Sequence, residues 1–222
     1  MIVLLTKKLP SSSTDLIKSW GWHVDLIEAL NITPVEVNEL SPTSNAWIIS
    51  SRNSWPVVQK FIDRAPSFIY CVGRWLPKEL RKTRMSAKIA DFKDMKSLVA
   101  ELGKRGFQQV LYFCADNHRD ELEQGLKDHP VEIIKVITHE SRLTVPVLDE
   151  AYDAIFVFSP RSAESLLKKN TFDPQTVFAC IGPTTVSYLH EQGITNTFCA
   201  SRPDNKLLLK EFYSRKISAG RS

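Results

Sequence analysis

The sequence predicts an α/β protein of two small lobes, each with a mostly parallel sheet covered by helices. Short apolar runs alternate with amphipathic stretches along the 222 residues, as in chains built from βαβ units. Many of these runs are apolar without interruption, which is typical of strands that helices cover on both faces. A weak repeat also relates the two halves of the chain, which favours two lobes of one design.

The predicted elements follow from these patterns. Apolar runs predict strands at residues 2–5, 35–37, 46–49, 67–72, 109–114, 132–137, 154–158 and 176–181. Amphipathic stretches predict helices at residues 15–30, 56–64, 95–105, 119–127, 163–169, 185–192 and 205–216. Gly21 and Gly193 follow helical patterns, so we expect them at helix ends.

The repeat pairs one βαβ unit from each half of the chain. AWIISSRNSW leads to FIYCVGRWLPKEL in the first half, and AIFVFSPRSAESLL leads to VFACIGPTTVSYL in the second. Ser50 precedes Gly73 by 23 residues, and Ser159 precedes Gly182 by the same distance. Each copy predicts a strand, a hydroxyl-bearing turn, a helix, a second strand, a glycine turn and a second helix. Chance similarity between βαβ units is the alternative explanation.

Two extended segments are candidates for the junction between the lobes. Neither residues 33–38 nor residues 133–142 lead directly into a strong helix, so we expect them to pair as two linker strands. Lobe 1 is then discontinuous, with residues 1–34 and 143–222, and lobe 2 is the inserted stretch 38–132. A two-stranded connection would allow the lobes to hinge.

Composition and charge restrict the partners. The net charge of +4 favours anionic ligands, and the scattered aromatic residues give no support for a nucleic-acid partner. No apolar run approaches the ~18 residues of a membrane span. The N-terminus lacks the basic region of a signal peptide, so we predict a cytoplasmic protein without a membrane partner. Nothing indicates an extended apolar interface, and a monomer is therefore expected.

Several well-known site signals are missing from the sequence. The four cysteines have no CxxC spacing, and three of them lie in apolar runs, which favours buried free thiols in a reducing compartment. The five histidines lack metal-ligand spacing. The sequence contains no GxGxxG, GxxxxGK[ST] or GxSxG stretch. These observations argue against metal, dinucleotide, P-loop and serine hydrolase sites.

The turns that follow the predicted strands are rich in hydroxyl groups and glycine, and several carry Arg or Lys. These turns are residues 6–8, 50–53, 73–74, 115–117, 159–162 and 182–185. Ligands of open parallel sheets bind beyond the carboxyl ends of the strands. Hydroxyls and free N–H groups at helix starts bind carboxylates or phosphates, although each Ser or Thr alone could be a plain N-cap. Their concentration at one rim, with Lys and Arg between them, predicts a site for an anionic ligand.

The stretch IGPTTVSYLHEQGI resembles the IGPTTAxALxxxGI motif of uroporphyrinogen-III synthases, the most specific motif of that family. Four further stretches follow the family's order along the chain. WIISSRNSW is similar to IxFTSxNAV, YCVGRWLPKEL to VGxxTAxxL, VLYFCADNHRDELEQGLKD to VLYxxGxxxRDxLxxxL, and VFSPRSAESLL to FxSPSxxxxLL. IVLLTKK and LIEALNITPVEV are similar to the opening strand and to the run into the first linker. The resemblance covers nearly the whole chain, and only IGPTT is specific by itself.

The resemblance implies an α/β fold of two flavodoxin-like, doubly wound lobes joined by a two-stranded β linker. It implies a lyase that removes water from hydroxymethylbilane, which carries eight carboxylates, and closes the ring with inversion of the last pyrrole through a spiro intermediate. The product is uroporphyrinogen III of haem biosynthesis. No metal and no organic cofactor is implied. Catalysis would consist of positioning, with stabilisation of the cationic intermediate.

The resemblance also implies which residues bind the substrate. Matched by position to the family's motifs, these are Thr184, Thr185, Ser159, Ser162, Ser50, Ser51, Asn53 and Thr138. Eight carboxylates held by two lobes would keep the linear chain folded so that the inverted closure is favoured.

Two positions depart from the family's pattern. The family usually has a Tyr in its second linker strand that assists departure of the hydroxyl, and Val136 holds that position here, although Thr138 is kept. Leu76 replaces the family's Thr after VG. General acid catalysis contributes roughly 10²–10⁴-fold, so its loss would slow the reaction. Tyr152 or Tyr188 could substitute, although each could equally be a structural aromatic.

Two alternatives stay open from the sequence. The departures at Val136 and Leu76 are compatible with a catalytically impaired relative that binds a tetrapyrrole or another polyanion. The hinge and the rims are also compatible with a two-lobed binding module for a small molecule.

Overall fold

The computed structural model of the protein describes residues 1–40, 44–73, 75–83 and 85–219, so Arg74 of one predicted rim turn lies outside the described residues. The fold is α/β with two mostly parallel sheets, which confirms the predicted fold class. Contacts divide the chain into two compact units. Unit 1 combines Met1–Asn31 with Arg142–Ser222, and unit 2 is Ile32–Ser141.

The strands and helices of the described residues are as follows. The strands are β1 (Ile2–Leu5), β2 (His23–Leu26), β3 (Leu30–Pro34), β4 (Ala46–Ile49), β5 (Phe68–Val72), β6 (Lys88–Phe92), β7 (Gln109–Ala115), β8 (Glu132–Leu143), β9 (Ala154–Val157), β10 (Val177–Cys180) and β11 (Thr197–Cys199). The helices are α1 (Ser11–Ser19), α2 (Trp55–Lys60), α3 (Trp75–Leu80), α4 (Met95–Leu102), α5 (Glu121–Leu126), α6 (Pro160–Leu167), α7 (Pro183–Glu191) and α8 (Asn205–Ala219). None of these helices has the length and the apolar content needed to cross a bilayer.

Unit 1 contains a parallel five-stranded sheet in the order β11-β10-β9-β1-β2. Numbered within the unit, this order is 2-1-3-4-5, that of flavodoxin-like folds. The chain builds outward from β1 to β2 and then crosses to β9 on the other side of β1. The topological switch point therefore lies between β1 and β9.

Unit 2 contains a six-stranded sheet in the order β3-β8-β7-β4-β5-β6. The five strands from β8 to β6 are parallel. Numbered from β4, their order is 3-2-1-4-5, the other common doubly wound arrangement. The chain builds from β4 to β6 and then crosses to β7, which places the switch point of this unit between β4 and β7.

The strands β3 and β8 form the two-stranded connection. The Val35 N–H donates to the Thr138 carbonyl at 3.0 Å, and the Thr144 N–H donates to the Ala29 carbonyl at 3.2 Å. The partner number falls from 144 to 138 as the chain advances from 29 to 35, so the two segments run antiparallel. The strand predicted at 35–37 was misplaced, because the ladder takes up Leu30–Pro34 instead.

Each sheet packs one hydrophobic cluster on each face. Along β1, Val3 and Leu5 pack into one cluster, while Leu4 packs into the other. Along β4, Trp47 and Ile48 divide between two clusters in the same way. All of these side chains are at most 2% exposed. Burying one such side chain contributes about 1.5–3 kcal/mol to the free energy of folding. The turns at the strand ends are therefore attached to stable sheets.

The predicted helix at 15–30 was wrong beyond its first turns. Helix α1 ends at Ser19, and the Gly21 N–H then donates to the Lys18 carbonyl at 2.9 Å. Gly21 has a φ of 72°, a left-handed conformation that favours glycine and turns the chain into β2. Strand β6 was not predicted, because the edge sequence KIADF contains no continuous apolar run.

Candidate functional site

The predicted site residues lie at the carboxyl ends of the strands, beside the two switch points. We call Lys7, Ser159, Ser162, Thr184 and Thr185 the unit 1 rim, because they follow β1, β9 and β10. We call Ser50, Ser51, Asn53, Ser54 and Thr138 the unit 2 rim, because they follow β4 or lie in β8 beside the end of β7. Ligands of doubly wound sheets bind at this edge and at the switch point.

Helix α6 begins in the unit 1 rim with a pair of serines. Ser159 is the N-cap, and its Oγ accepts a hydrogen bond from the Ser162 N–H at 3.1 Å. The two hydroxyls are also 2.8 Å apart. Pro160 occupies the first helical position, where its missing N–H costs nothing. Ser159 is partly exposed and Ser162 is buried, so Ser159 is the member of the pair that a ligand can reach.

Helix α7 begins without a capping side chain. Gly182 is the N-cap and Pro183 follows it at the first helical position. Thr184 is exposed, whereas Thr185 is 0% exposed. Among the described residues, no hydrogen bond partner lies within reach of the Thr185 hydroxyl. This helix start therefore combines an exposed hydroxyl, the positive end of a helix dipole and a buried polar group that the described residues do not satisfy.

A positive charge lies at the switch point of unit 1. The Lys7 ammonium is 4.3 Å from the centroid of the Phe158 ring. Lys7 follows β1 and Phe158 follows β9, the two strands that flank the switch point. A cation held over an aromatic face is oriented as well as attracted, so the Lys7 ammonium has a defined position at this edge of unit 1.

The first hydroxyl of the unit 2 rim, that of Ser50, is hydrogen-bonded to a buried tyrosine of the sheet. The Ser50 Oγ lies 3.0 Å from the phenol oxygen of Tyr112 on the neighbouring strand β7. Burial raises the pKa of Tyr112 to about 12, although the hydrogen bond with Ser50 acts in the opposite direction. The phenol is therefore protonated throughout the physiological pH range.

The next hydroxyl of this rim caps a short turn. The Ser51 Oγ accepts a hydrogen bond from the Asn53 N–H at 3.2 Å and so begins the 3₁₀ turn Arg52–Ser54. The Asn53 side chain is exposed. Ser51 therefore has the N-cap role that is the structural alternative for hydroxyls at strand ends.

A buried hydroxyl network lies beneath these turns. The Thr138 Oγ1 is 2.9 Å from the Ser54 Oγ, 2.9 Å from His139 Nδ1 and 3.1 Å from the Cys114 carbonyl oxygen. Thr138 is 1% exposed and Ser54 is 0% exposed. Burial lowers the pKa of His139, and the Asp116 carboxylate opposes this shift. This arrangement favours a structural role for Thr138, and its predicted contact with substrate stays a prediction.

The two departures from the family pattern are core positions. Val136 is 8% exposed and Leu76 is 3% exposed, and both pack into the same hydrophobic cluster of unit 2. Neither can supply a proton. Tyr152 precedes β9, so it lies at the amino-terminal edge, opposite to the unit 1 rim. Tyr188 lies within α7, beyond its first turn.

A group of His118, Asp120 and Glu123 could in principle hold a cation, since one ligand atom from each lies within 4.8 Å of the others. However, His118 Nε2 is 2.7 Å from the Glu123 carboxylate, a hydrogen bond distance, and the Lys135 ammonium is 3.6 Å from the same oxygen. Burial raises the pKa of Glu123, but the hydrogen bond from His118 and the neighbouring positive charges lower it overall. The Glu123 carboxylate is therefore already engaged by the His118 ring and by the Lys135 ammonium.

Sequence reasoning missed Tyr112, Ser54 and His139. The position of Ser54, three residues after the capping Ser51, was the available signal for a buried hydroxyl in the first turn. Tyr112 was taken only as part of an apolar strand. Its contact with Ser50 joins residues that are 62 apart in the chain and depends on the order of the strands.

Comparison with known proteins gives a consistent result. The family model HEM4, described as uroporphyrinogen-III synthase HemD, matches residues 16–210. A search of curated protein sequences found no match. Among solved structures, the uroporphyrinogen-III synthetase of Helicobacter pylori has a TM-score of 0.68 at 20% identity, covering 96% of this chain and 98% of that chain. A mutant uroporphyrinogen III synthase of Thermus thermophilus has a TM-score of 0.69 at 13% identity, covering 99% of both chains.

Proposed function

Since this chain belongs to the uroporphyrinogen-III synthase family, we propose that each rim binds carboxylates of the linear tetrapyrrole substrate, hydroxymethylbilane. The chain is a cyclising lyase of tetrapyrrole biosynthesis. It dehydrates and cyclises hydroxymethylbilane with inversion of ring D, and the product is uroporphyrinogen III.

The observation that carries the binding proposal is the start of α7. The buried Thr185 hydroxyl has no partner among the described residues, and an unsatisfied buried polar group costs about 1–3 kcal/mol. A ligand that gave this hydroxyl an acceptor would remove that cost. A substrate carboxylate at this helix start would accept a hydrogen bond from the exposed Thr184 and would interact favourably with the helix dipole. To bind the Thr185 hydroxyl as well, which is 0% exposed, it would have to displace the atoms that cover this hydroxyl.

Other polar side chains of the two rims would bind further parts of the substrate. In unit 1, Ser159 is partly exposed at the start of α6 and next to the switch point. In unit 2, Ser50, Ser51 and Asn53 follow β4 at the corresponding edge. Ser162 supports Ser159 from below at 2.8 Å. We assign these residues to orientation of the substrate, because fixing two reacting groups in the correct geometry is itself a large catalytic effect.

The chemistry requires little from the side chains beyond this orientation. The bond between the terminal carbon and its hydroxyl breaks, the hydroxyl takes up a proton and leaves as water, and a cation remains on the pyrrole chain. Substrate folding then decides which pyrrole carbon attacks that cation. Val136 offers no proton, and solvent is the simplest source of one. An equivalent proton is released when the attacked pyrrole regains its aromaticity. The cytoplasmic location and the monomeric state remain predictions from the sequence.

A coupled assay tests this function directly. Hydroxymethylbilane is generated in situ, the protein is added, and the oxidised products are separated into type I and type III uroporphyrin. We expect predominantly type III product. Type I product alone is the spontaneous outcome and would show that the chain does not direct the closure. Tight binding of the substrate with only type I product would favour a catalytically inactive binding module.

A further inference from the structure

Tyr112 is the interior residue that reaches the unit 2 rim. Its partner on β4 is Ile48, and Ser50 lies two residues further along on the same side of that strand. The Tyr112 ring therefore leans toward the carboxyl edge, and its phenol oxygen lies 3.0 Å from the Ser50 Oγ. This contact crosses the switch point between β4 and β7.

The Tyr112 ring is held firmly in this orientation. It is 2% exposed, and the His118 ring packs edge-on against it at 5.4 Å with an interplanar angle of 88°. Oxygen atoms lie close to both His118 ring nitrogens, so the ring has little room to turn. Its Nδ1 is 3.1 Å from the Ala115 carbonyl oxygen, and its Nε2 is 2.7 Å from the Glu123 carboxylate. The phenol consequently has one direction in which to form its hydrogen bond.

We propose that Tyr112 is a positioning residue that orients the Ser50 hydroxyl as a hydrogen bond donor to the substrate. This inference rests on the proposed function, because it assumes that Ser50 contacts hydroxymethylbilane. Tyr112 itself is buried and does not touch the substrate. It acts through Ser50 alone.

The direction of the hydrogen bond follows from the two groups. A phenol is more acidic than an aliphatic hydroxyl and is the better donor. When Tyr112 donates, Ser50 accepts on one lone pair and keeps its own proton for a partner outside the sheet. Linked hydrogen bonds polarise one another, so the Ser50 hydroxyl becomes a stronger donor than an isolated serine.

The chain offers a matched control in Tyr70. Like Tyr112, it is 2% exposed and belongs to the same hydrophobic cluster of unit 2. Its phenol has no hydrogen bond partner among the described residues. Tyr70→Phe and Tyr112→Phe therefore remove the same atom from the same cluster, and only the second removes a contact with the rim.

The test is a double-mutant cycle in the coupled assay. The variants are Tyr112→Phe, Ser50→Ala, their combination and the control Tyr70→Phe. We expect Tyr112→Phe to lower kcat/KM for type III product by about 3–10-fold, the effect of one neutral hydrogen bond. The double variant should be no worse than Ser50→Ala, because Tyr112 acts only through Ser50. Tyr70→Phe should match the wild type, and Ser50→Thr, which keeps the hydroxyl, should still respond to Tyr112→Phe.

Two outcomes would overturn the inference. Tyr112→Phe could match Tyr70→Phe, or it could lower kcat/KM by the same factor with and without Ser50, which would indicate a merely structural role. Urea denaturation of each variant separates loss of fold from loss of activity. Failure of the proposed function would look different, because the wild type itself would then give only type I product.

Discussion

The two rims occupy equivalent edges of their sheets, but their hydroxyl groups differ in how many hydrogen bond partners they have. In unit 1, Thr184 is exposed and the Thr185 hydroxyl has no partner among the described residues. In unit 2, Ser50 is bound to Tyr112 and Thr138 has three partners. The start of α7 in the unit 1 rim has unused hydrogen bonding capacity, whereas the buried part of the unit 2 rim is a satisfied network.

This difference indicates which hydroxyl groups bind the substrate and which stabilise the fold. An unsatisfied buried hydroxyl reduces stability and gains a partner when a ligand reaches it, whereas a buried hydroxyl inside a satisfied network stabilises the fold. We therefore expect substitutions in the unit 1 rim to lower activity more than stability. Substitutions in the buried part of the unit 2 rim should have the opposite effect.

The largest effect is expected from Thr185→Val. Loss of a hydrogen bond to a charged carboxylate costs about 1.5–3 kcal/mol, so kcat/KM for type III product should fall by about 10–100-fold. The free energy of unfolding should stay constant or rise, because an unsatisfied buried hydroxyl is removed. The coupled assay and urea denaturation measure the two quantities.

The matched control for this substitution is Thr176→Val. The Thr176 hydroxyl is buried at the opposite edge of unit 1 and donates to the Tyr152 carbonyl at 2.8 Å. This variant should lose about 1 kcal/mol of unfolding free energy and keep its activity. If Thr176→Val lost activity and Thr185→Val did not, the assignment of the unit 1 rim would be wrong.

Thr138→Val should give the next largest effect, now on stability. Valine has the same shape but leaves the Ser54 hydroxyl and His139 Nδ1 without this partner. We expect the free energy of unfolding to fall by about 1–3 kcal/mol, measured by urea denaturation. An unchanged midpoint would mean that the network does not support the fold.

The two rims also differ, by a smaller amount, in how much their capping serines stabilise the fold. Ser159 caps the eight-residue helix α6, whereas Ser51 caps a single 3₁₀ turn. Ser159→Ala should therefore cost about 1 kcal/mol of unfolding free energy, and Ser51→Ala should cost less. Thermal unfolding of both variants side by side tests the ranking, and a larger loss for Ser51→Ala would reverse it.

The smallest effect concerns pH and the unit 2 network. Burial lowers the pKa of His139 below its usual value of about 6.5, so the unfolded chain binds this proton more tightly than the folded protein. Stability should therefore decrease as the pH falls below about 6.5, toward the lowered pKa of the folded state. His139→Gln should reduce this dependence, and urea denaturation across that range would reveal an unchanged slope if His139 is not involved.

The sequence predicted the location of both rims because strand ends are local features. Ser50 and Ser159 follow continuous apolar runs, and parallel strands bring their carboxyl ends to one edge. The prediction that Thr184 and Thr185 bind the substrate came from the IGPTT motif, not from the hydropathy pattern. The site assignments stay predictions until the variants above are measured.

Other features required the three-dimensional arrangement. The contact between Ser50 and Tyr112 depends on β7 crossing to the far side of β4, which no local pattern encodes. Strand β2 escaped prediction because its four residues, two exposed and two half-buried, contain no continuous apolar run. The predicted domain limits also remain a prediction, because clusters of contacts do not show which segments fold alone.

The most direct test of the difference between the rims is an NMR titration of the ¹⁵N-labelled protein with the product uroporphyrinogen III under reducing conditions. We predict that the backbone amide signals of Thr184 and Thr185 shift on binding, because a carboxylate binds beside them at the start of α7, while the amide signal of the buried Thr138 does not shift. Shifts at Thr138 with none at Thr184 and Thr185 would contradict the account.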